Sequence, residues 1–230
     1  MGKEFRVRAG TTLTFFAVLS LISAEALSCS PSRKWVMPPV GVRAILADYV
    51  IEGVTPLAKK GDQTATVTVY QWLKGSGSRQ VVITGFGWGP DCRAPVPEGA
   101  AIFFATDEGK DGQLELRYAG PWSAVTKATP NVISDVQQAL RLGFRDYMRG
   151  KIDEIAVVAV ATVQGGSAKR AYLRLPDGRT ENVEVGDPLP DLGGEVRSIS
   201  ESQLEIEFPA LITDAEKDTY RFVLKGEPGG

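Results

Sequence analysis

The chain has 230 residues, a net charge of −2, two cysteines and no histidine. Because the charge is nearly balanced, the chain lacks the excess of basic residues that favours binding to nucleic acid or to an anionic lipid surface. The lack of histidine removes Ser-His-Asp and Cys-His catalysis and, with so few thiols, a Cys/His zinc site. We therefore predict a protein that is not an enzyme, has no metal site of its own and uses no cofactor.

The first 28 residues have the order of a secretory signal peptide. Basic residues precede an apolar run over residues 11–24, and small residues follow it. A membrane-spanning helix is the alternative, but it needs about 20 apolar residues, and Glu25 ends the run early. We expect residues 1–28 to be a signal peptide and the remainder to be exported, as a periplasmic or secreted protein.

Three processing routes fit the end of this segment. Cleavage after Ala26 follows a small-x-small pattern, and cleavage after Ser28 would expose the amine of Cys29. The third route is lipoprotein processing, which would anchor the chain to a membrane at Cys29. Lipidation consumes the sulfur of Cys29 and blocks its amine, so it excludes a disulfide at that residue.

The cysteines, Cys29 and Cys92, are the only thiols of the chain. In an oxidising compartment, two isolated cysteines favour one structural disulfide. A free, reactive thiol at either position is the alternative.

From Val40 to Val125 the sequence predicts strand after strand. Runs rich in valine, isoleucine, threonine and aromatic residues alternate with turns rich in Gly, Pro and Asp. The runs cover residues 40–57, 64–75, 79–87 and 100–120. Short strands at this spacing are typical of a small closed barrel.

Between residues 130 and 148 the apolar residues change to helical spacing. Val132, Val136 and Leu140 recur every four positions. Thr129 and Pro130 suit the cap and first residue of a helix. We predict one amphipathic helix, within a divider that covers residues 128–150.

A second β-rich segment follows over residues 151–226. The sequence "PDGR" at residues 176–179 predicts a hairpin turn. In "QLEIEF", residues 203–208, apolar and charged residues alternate, which predicts a strand with one buried face. These features indicate a small separate β-domain, and a single continuous domain is the alternative.

The first β segment resembles the N-terminal domain of the tissue inhibitors of metalloproteinases, in its bacterial and netrin-like relatives. The likeness rests on the order of a leading Cys29, the segments "ADYVIEGVT", "VTVYQWLKG" and "RQVVIT", the Cys92 turn and "VPEGAAIFFA". It covers residues 29–127. The resemblance implies a five-stranded OB-type β-barrel in which Cys29 is bonded to Cys92.

The same resemblance implies a possible inhibitory N-terminus. In the animal inhibitors, the α-amine and carbonyl oxygen of the terminal cysteine chelate the zinc of the protease. In this chain that residue would be Cys29, with Ser30 beside it at the protease site.

The second β segment is similar to the small β-domain shared by the pilus-assembly P protein and the C protein of type II secretion. The shared features are a strand, "PDG", a second strand, "VGD", and a spaced set of apolar residues. The residues in these places are Gly178, Gly186, Asp187, Val196, Ile199 and Leu204. The resemblance implies a module that connects proteins in the periplasm.

Catalysis without histidine would need other groups, and the sequence offers weak candidates. Ser123 and Lys127 stand four positions apart, and the segment 106–115 carries four carboxylates. A solvated helix face and a polar hairpin loop are the ordinary interpretations of these two patterns.

The sequence leaves three hypotheses about function. The first is an exported, non-catalytic binding protein of the cell envelope, with a protein as its partner. The second is an inhibitor of an extracellular metalloprotease that acts through Cys29, and the third is a carboxylate-dependent hydrolase. Contact with a membrane is expected only if Cys29 is lipidated or the signal is not cleaved.

Overall fold

The computed structural model describes residues 36–87, 92–107, 109–120, 122–162, 169–201, 203–208 and 220–225. The predicted signal peptide, Cys29 and Ser30 lie outside the described residues. Within them the protein is mainly β, with two α-helices. The helices are α1 (Val40–Leu46) and α2 (Pro130–Asp153). The strands are β1 (Tyr49–Val54), β2 (Thr64–Lys74), β3 (Gln80–Thr84), β4 (Ala101–Thr106), β5 (Leu114–Leu116), β6 (Val125–Lys127), β7 (Ala156–Thr162), β8 (Lys169–Arg174), β9 (Thr180–Glu184), β10 (Glu195–Ile199), β11 (Gln203–Phe208) and β12 (Tyr220–Lys225).

The first five strands form a closed barrel. Its strand order is β1-β2-β3-β5-β4, and β4 pairs again with β1 to close it. Strands β3 and β5 are parallel, and every other pair in the barrel is antiparallel. Strand β6 pairs with the first half of β4, on the same edge as β5. This closed five-stranded mixed barrel is compatible with an OB-type fold. The predicted fold class is therefore confirmed.

Alternating residues of the strands fill the barrel. Along β2, Ala65, Val67 and Val69 are buried while the threonines between them face outward. Phe103 of β4 meets Phe86 edge to face, with the ring centroids 6.2 Å apart. Both phenylalanine side chains are completely buried, so this aromatic pair forms the centre of the barrel core.

The prediction of a strand from residue 40 was wrong. Residues 40–46 form helix α1, and the first strand starts only at Tyr49. The helix is buried on two sides. Val42 and Leu46 belong to one apolar cluster, and Ala44 belongs to another. A helix that is covered on both sides shows no amphipathic period, and a short apolar run of this kind cannot be told from a strand by its pattern.

Helix α2 starts where the sequence predicts but ends later and is not straight. The hydroxyl oxygen of Thr129 accepts a hydrogen bond from the backbone N–H of Val132, as expected of a capping residue. The helix continues to Asp153, past the predicted end at residue 148. It is interrupted at Gly143, whose φ of 73° and ψ of 171° are not helical.

The part of the chain after α2 contains two small antiparallel sheets, β7-β8-β9 and β10-β11-β12. The predicted hairpin turn is present between β8 and β9, where Leu175 N–H bonds to the carbonyl of Arg179 and Gly178 has a φ of 85°. The alternation of β11 is present as well, because Leu204, Ile206 and Phe208 are all buried. These sheets share one apolar cluster with both helices.

The helices thus contribute to more than one core. Val136 of α2 and Ala44 of α1 pack with the outer side of the barrel, whereas Phe144 of α2 and Val42 of α1 pack with the C-terminal sheets. The division into residues 29–127, 128–150 and 151–226 stays a prediction.

A glycine allows the two helices to approach each other. A Cβ atom added to Gly41 would lie 2.4 Å from Cζ of Tyr147 and 2.5 Å from Cβ of Ala139. Gly150 of α2, in contrast, has open space around it. We expect Gly41→Ala to lower the free energy of unfolding by about 1–3 kcal/mol through overpacking. Gly150→Ala should raise it by about 1 kcal/mol through helix propensity.

Urea denaturation followed by circular dichroism measures both effects. The two substitutions add the same methyl group to a helix, so each serves as the control of the other. Equal stability of the two variants would contradict the close packing of α1 on α2.

Candidate functional site

The segment between β3 and β4 carries Cys92 and is attached to the barrel by a tyrosine. The hydroxyl of Tyr118 accepts a hydrogen bond from Ala94 N–H at 2.7 Å and donates one to the carbonyl of Gly85 at 2.9 Å. A backbone bond from Gly87 to Ala94 closes the same region. Cys92 therefore lies two residues from an anchored position, at an end of the barrel.

A backbone hydrogen bond joins Cys92 to Trp122. The N–H of Trp122 donates to the carbonyl of Cys92 at 3.2 Å. Both residues have left-handed backbones, with φ of 59° at Cys92 and 54° at Trp122. Such conformations cost about 1–3 kcal/mol each for residues other than glycine, and they persist where the surroundings enforce them. The side chain of Trp122 is 37% exposed.

A buried hydrogen-bonded turn holds Trp122 in this position. Ser123 is fully buried, and its hydroxyl accepts from Ala119 N–H at 2.7 Å and donates to the carbonyl of Gly120 at 2.8 Å. The carbonyl of Ser123 accepts from Nη1 of Arg43 at 2.9 Å. The turn is thus attached to helix α1 on its inner side.

Arg43 is an expensive residue to bury. Its side chain is 7% exposed and stacks on Phe104, with Cζ 5.0 Å from the ring centroid. Burial lowers the pKa of the guanidinium to about 10. Among the described residues its Nε has no hydrogen-bond partner. The bond to the carbonyl of Ser123 and the contact with Phe104 offset part of this cost, and the bond fixes the turn beside Trp122.

Only one of the two cysteines of the predicted disulfide lies within the described residues. Cys92 is half-buried at the exposed end of the barrel, but its proposed partner Cys29 lies outside the described residues. The pairing of Cys29 with Cys92 and the inhibitory role of Cys29 and Ser30 stay predictions.

The weak catalytic candidates are not assembled for catalysis. Ser123 lies in the turn and Lys127 at the end of β6, so the two do not share a helix face. Both hydrogen-bonding functions of the Ser123 hydroxyl are used inside the turn. Asp107, Asp111 and Glu115 are exposed, and Glu108 lies outside the described residues.

Within the described ranges, no group of three or more His, Cys, Asp or Glu side chains could hold a metal ion. Neither helix of the described part combines the length and apolar character required to cross a membrane.

Sequence reasoning missed the importance of Trp122, Arg43 and Tyr118. The signal available was the sequence "AGPWS", which places a tryptophan among turn-forming residues. An aromatic residue on a loop is a hint of binding. Arg43 gave no signal, because its burial depends on the tertiary packing of α1.

The chain was compared with known proteins at the level of sequence. No protein-family model matches it, and no curated protein matches it. The resemblances to the metalloproteinase inhibitors and to the pilus and secretion domains therefore rest on the motifs quoted above.

Proposed function

We propose that this protein is an exported, non-catalytic binding protein of the cell envelope, and that the end of the barrel around Cys92 and Trp122 binds a protein partner. One observation carries the proposal. An exposed tryptophan is held in a strained backbone by a buried turn.

Strain and burial together favour binding over a purely structural role. The left-handed backbone at Trp122 and the buried charge of Arg43 both cost free energy, yet the residue that they position keeps 37% of its surface exposed. Tryptophan is the residue type most enriched among those that dominate binding at protein interfaces. A rigid tryptophan loses little conformational entropy on binding, so it suits this use.

The C-terminal sheets provide the second part of the proposal. Val223 of β12 and Val185 in the turn after β9 are exposed apolar residues, with 51% and 58% exposure. The resemblance of these sheets to the pilus and secretion domains supports a role as a connector to another envelope protein.

Site-specific photo-crosslinking tests the barrel surface. A photoreactive phenylalanine analogue at position 122 should form an adduct with one protein in cells that export the chain. The matched control places the same analogue at Tyr70, which is 60% exposed on β2. We expect an adduct from position 122 and none from position 70. Absence of an adduct from position 122, or the same adduct from both positions, would refute the proposed surface.

Inhibition of a metalloprotease is the second candidate function. It is favoured by the place of Cys92, because a disulfide would bring Cys29 to the exposed end of the barrel beside Trp122. An amine and a carbonyl oxygen can fill the open position of a catalytic zinc ion. N-terminal sequencing and an inhibition assay separate the two functions. A mature start at Leu27 rules out chelation by Cys29, whereas a free Cys29 start together with zinc-dependent inhibition would replace the first proposal.

A further inference from the structure

One carboxylate joins the two parts of helix α2. Oδ2 of Asp135 accepts a hydrogen bond from the hydroxyl of Tyr147 at 2.9 Å, and Oδ1 lies 2.9 Å from Nζ of Lys151. The ammonium group of Lys151 also lies 5.4 Å from the centre of the Tyr147 ring. We refer to Asp135, Tyr147 and Lys151 as the helix clamp.

The helix clamp exists only because α2 folds back on itself. Asp135 and Lys151 are 16 positions apart (151 − 135), a separation of about 24 Å along a straight helix. Their side-chain atoms are nevertheless in contact. The reversal occurs at Gly143, where a Cβ atom would meet no atom within 4 Å. Space does not require glycine at that position, whereas the φ of 73° does.

The two parts of α2 differ in the cores that they contact. Before the break, Val136 packs in the cluster that contains Ile102 and Phe104 of the barrel, and Ala139 packs in the cluster of the C-terminal sheets. After it, Phe144 and Met148 pack with the C-terminal sheets. The angle at Gly143 therefore helps to set how the sheets sit relative to the barrel.

The helix clamp consists of a hydrogen bond and an ion pair, whose strength depends on geometry. Most of the contacts around it are apolar packing contacts, which depend on geometry much less. Helix α1 also touches both cores through Val42, Leu46 and Ala44, and its Gly41 packs closely on Tyr147 of the clamp. Burial and the neighbouring carboxylate of Asp135 raise the pKa of Tyr147, so its hydroxyl remains a neutral hydrogen-bond donor.

The clamp is also accessible. The side chains of Lys151 and Asp135 retain 29% and 22% exposure. They line a cleft of about 460 Å³ together with Val40, Asn131, Ser134 and Gln138. Water or a polar group of a partner can therefore reach the charged pair without unfolding either core.

We propose that the helix clamp is a conformational latch that holds α2 folded back at Gly143 and so fixes the orientation of the C-terminal sheets relative to the barrel. When the latch opens, Gly143 acts as the hinge, and the C-terminal sheets separate from Val42, Leu46 and Ala139 as they reorient, while the barrel and each sheet remain folded.

Residual dipolar couplings test the latch directly. In the unmodified protein, couplings from strands of the barrel and from the C-terminal sheets should fit one alignment tensor. In Asp135→Ala they should require two. Backbone amides of residues 144–153 should exchange with solvent about tenfold faster than in the unmodified protein, while amides of β1 and β4 keep their rates.

Two further variants make the result decisive. Asp146→Ala removes an exposed carboxylate from the same helix, and it should leave both the single tensor and the exchange rates unchanged. Tyr147→Phe retains the ring and the charged pair but loses one hydrogen bond, so it should give a smaller change in the same direction. If Asp135→Ala does not fold, the couplings and exchange rates of Tyr147→Phe test the proposal. A single tensor in the latch variants, or faster exchange throughout the barrel as well, would overturn the proposal.

Discussion

Replacing Phe208 with alanine should lower the free energy of unfolding of the C-terminal sheets by about 3–5 kcal/mol. The side chain is 1% exposed and meets Phe144 of α2 edge to face, with the ring centroids 6.1 Å apart. The backbone of Gly194 also approaches its ring closely. Alanine would leave a cavity where strand β11, helix α2 and the turn before β10 meet.

Phe103→Ala is the matched control in the barrel. Phe103 is fully buried and has its own aromatic partner, Phe86. The apolar cluster inside the barrel and the cluster of the C-terminal sheets have no residue in common. We therefore expect denaturation to show two transitions, with Phe208→Ala lowering one and Phe103→Ala lowering the other. A single transition that both variants lower equally would contradict the predicted division into two β-domains.

Replacing Cys92 with serine should cost about 4 kcal/mol of stability, on the view that the disulfide restricts the unfolded chain. The predicted bond would close a segment of 63 positions (92 − 29). The loss should appear in denaturant titrations of the mature, exported protein under oxidising conditions.

Reduction of the unsubstituted protein provides the control for this result. A reducing agent should lower its stability to that of Cys92→Ser and leave the variant unchanged. If the unsubstituted protein is insensitive to the reductant, the bond between Cys29 and Cys92 is absent. A lipid on Cys29 would produce that outcome, and intact mass would reveal it.

Strands β2 and β11 were predictable because their burial alternates along the chain. In β2 and β11 each second side chain faces a core, so the alternation of residue types records the structure. The start of α2 was predictable for a similar reason, since a threonine cap and a following proline act on the nearest turn.

The rest depended on contacts between distant segments. The sequence of helix α1 has the pattern of a buried strand, because other parts of the protein cover both sides of the helix. The reversal at Gly143 leaves no mark on the spacing of apolar residues, and the clamp that spans it joins residues that a straight helix would separate. At the candidate site, Trp122 became a candidate for binding only when the structure showed its hydrogen bond to Cys92 and the burial of Arg43.

The position of α1 in the chain has a consequence for how the protein acquires its structure. This helix lies close to the start of the described chain, yet its Val42 completes a cluster with Leu204, Ile206 and Phe208. Such contacts have a large sequence separation, and proteins rich in them fold slowly. If the protein is exported as proposed and crosses the membrane from its N-terminus, α1 emerges before the strands that cover it. Its apolar side would then be exposed to solvent until those strands follow, and exposed apolar surface of this kind favours aggregation.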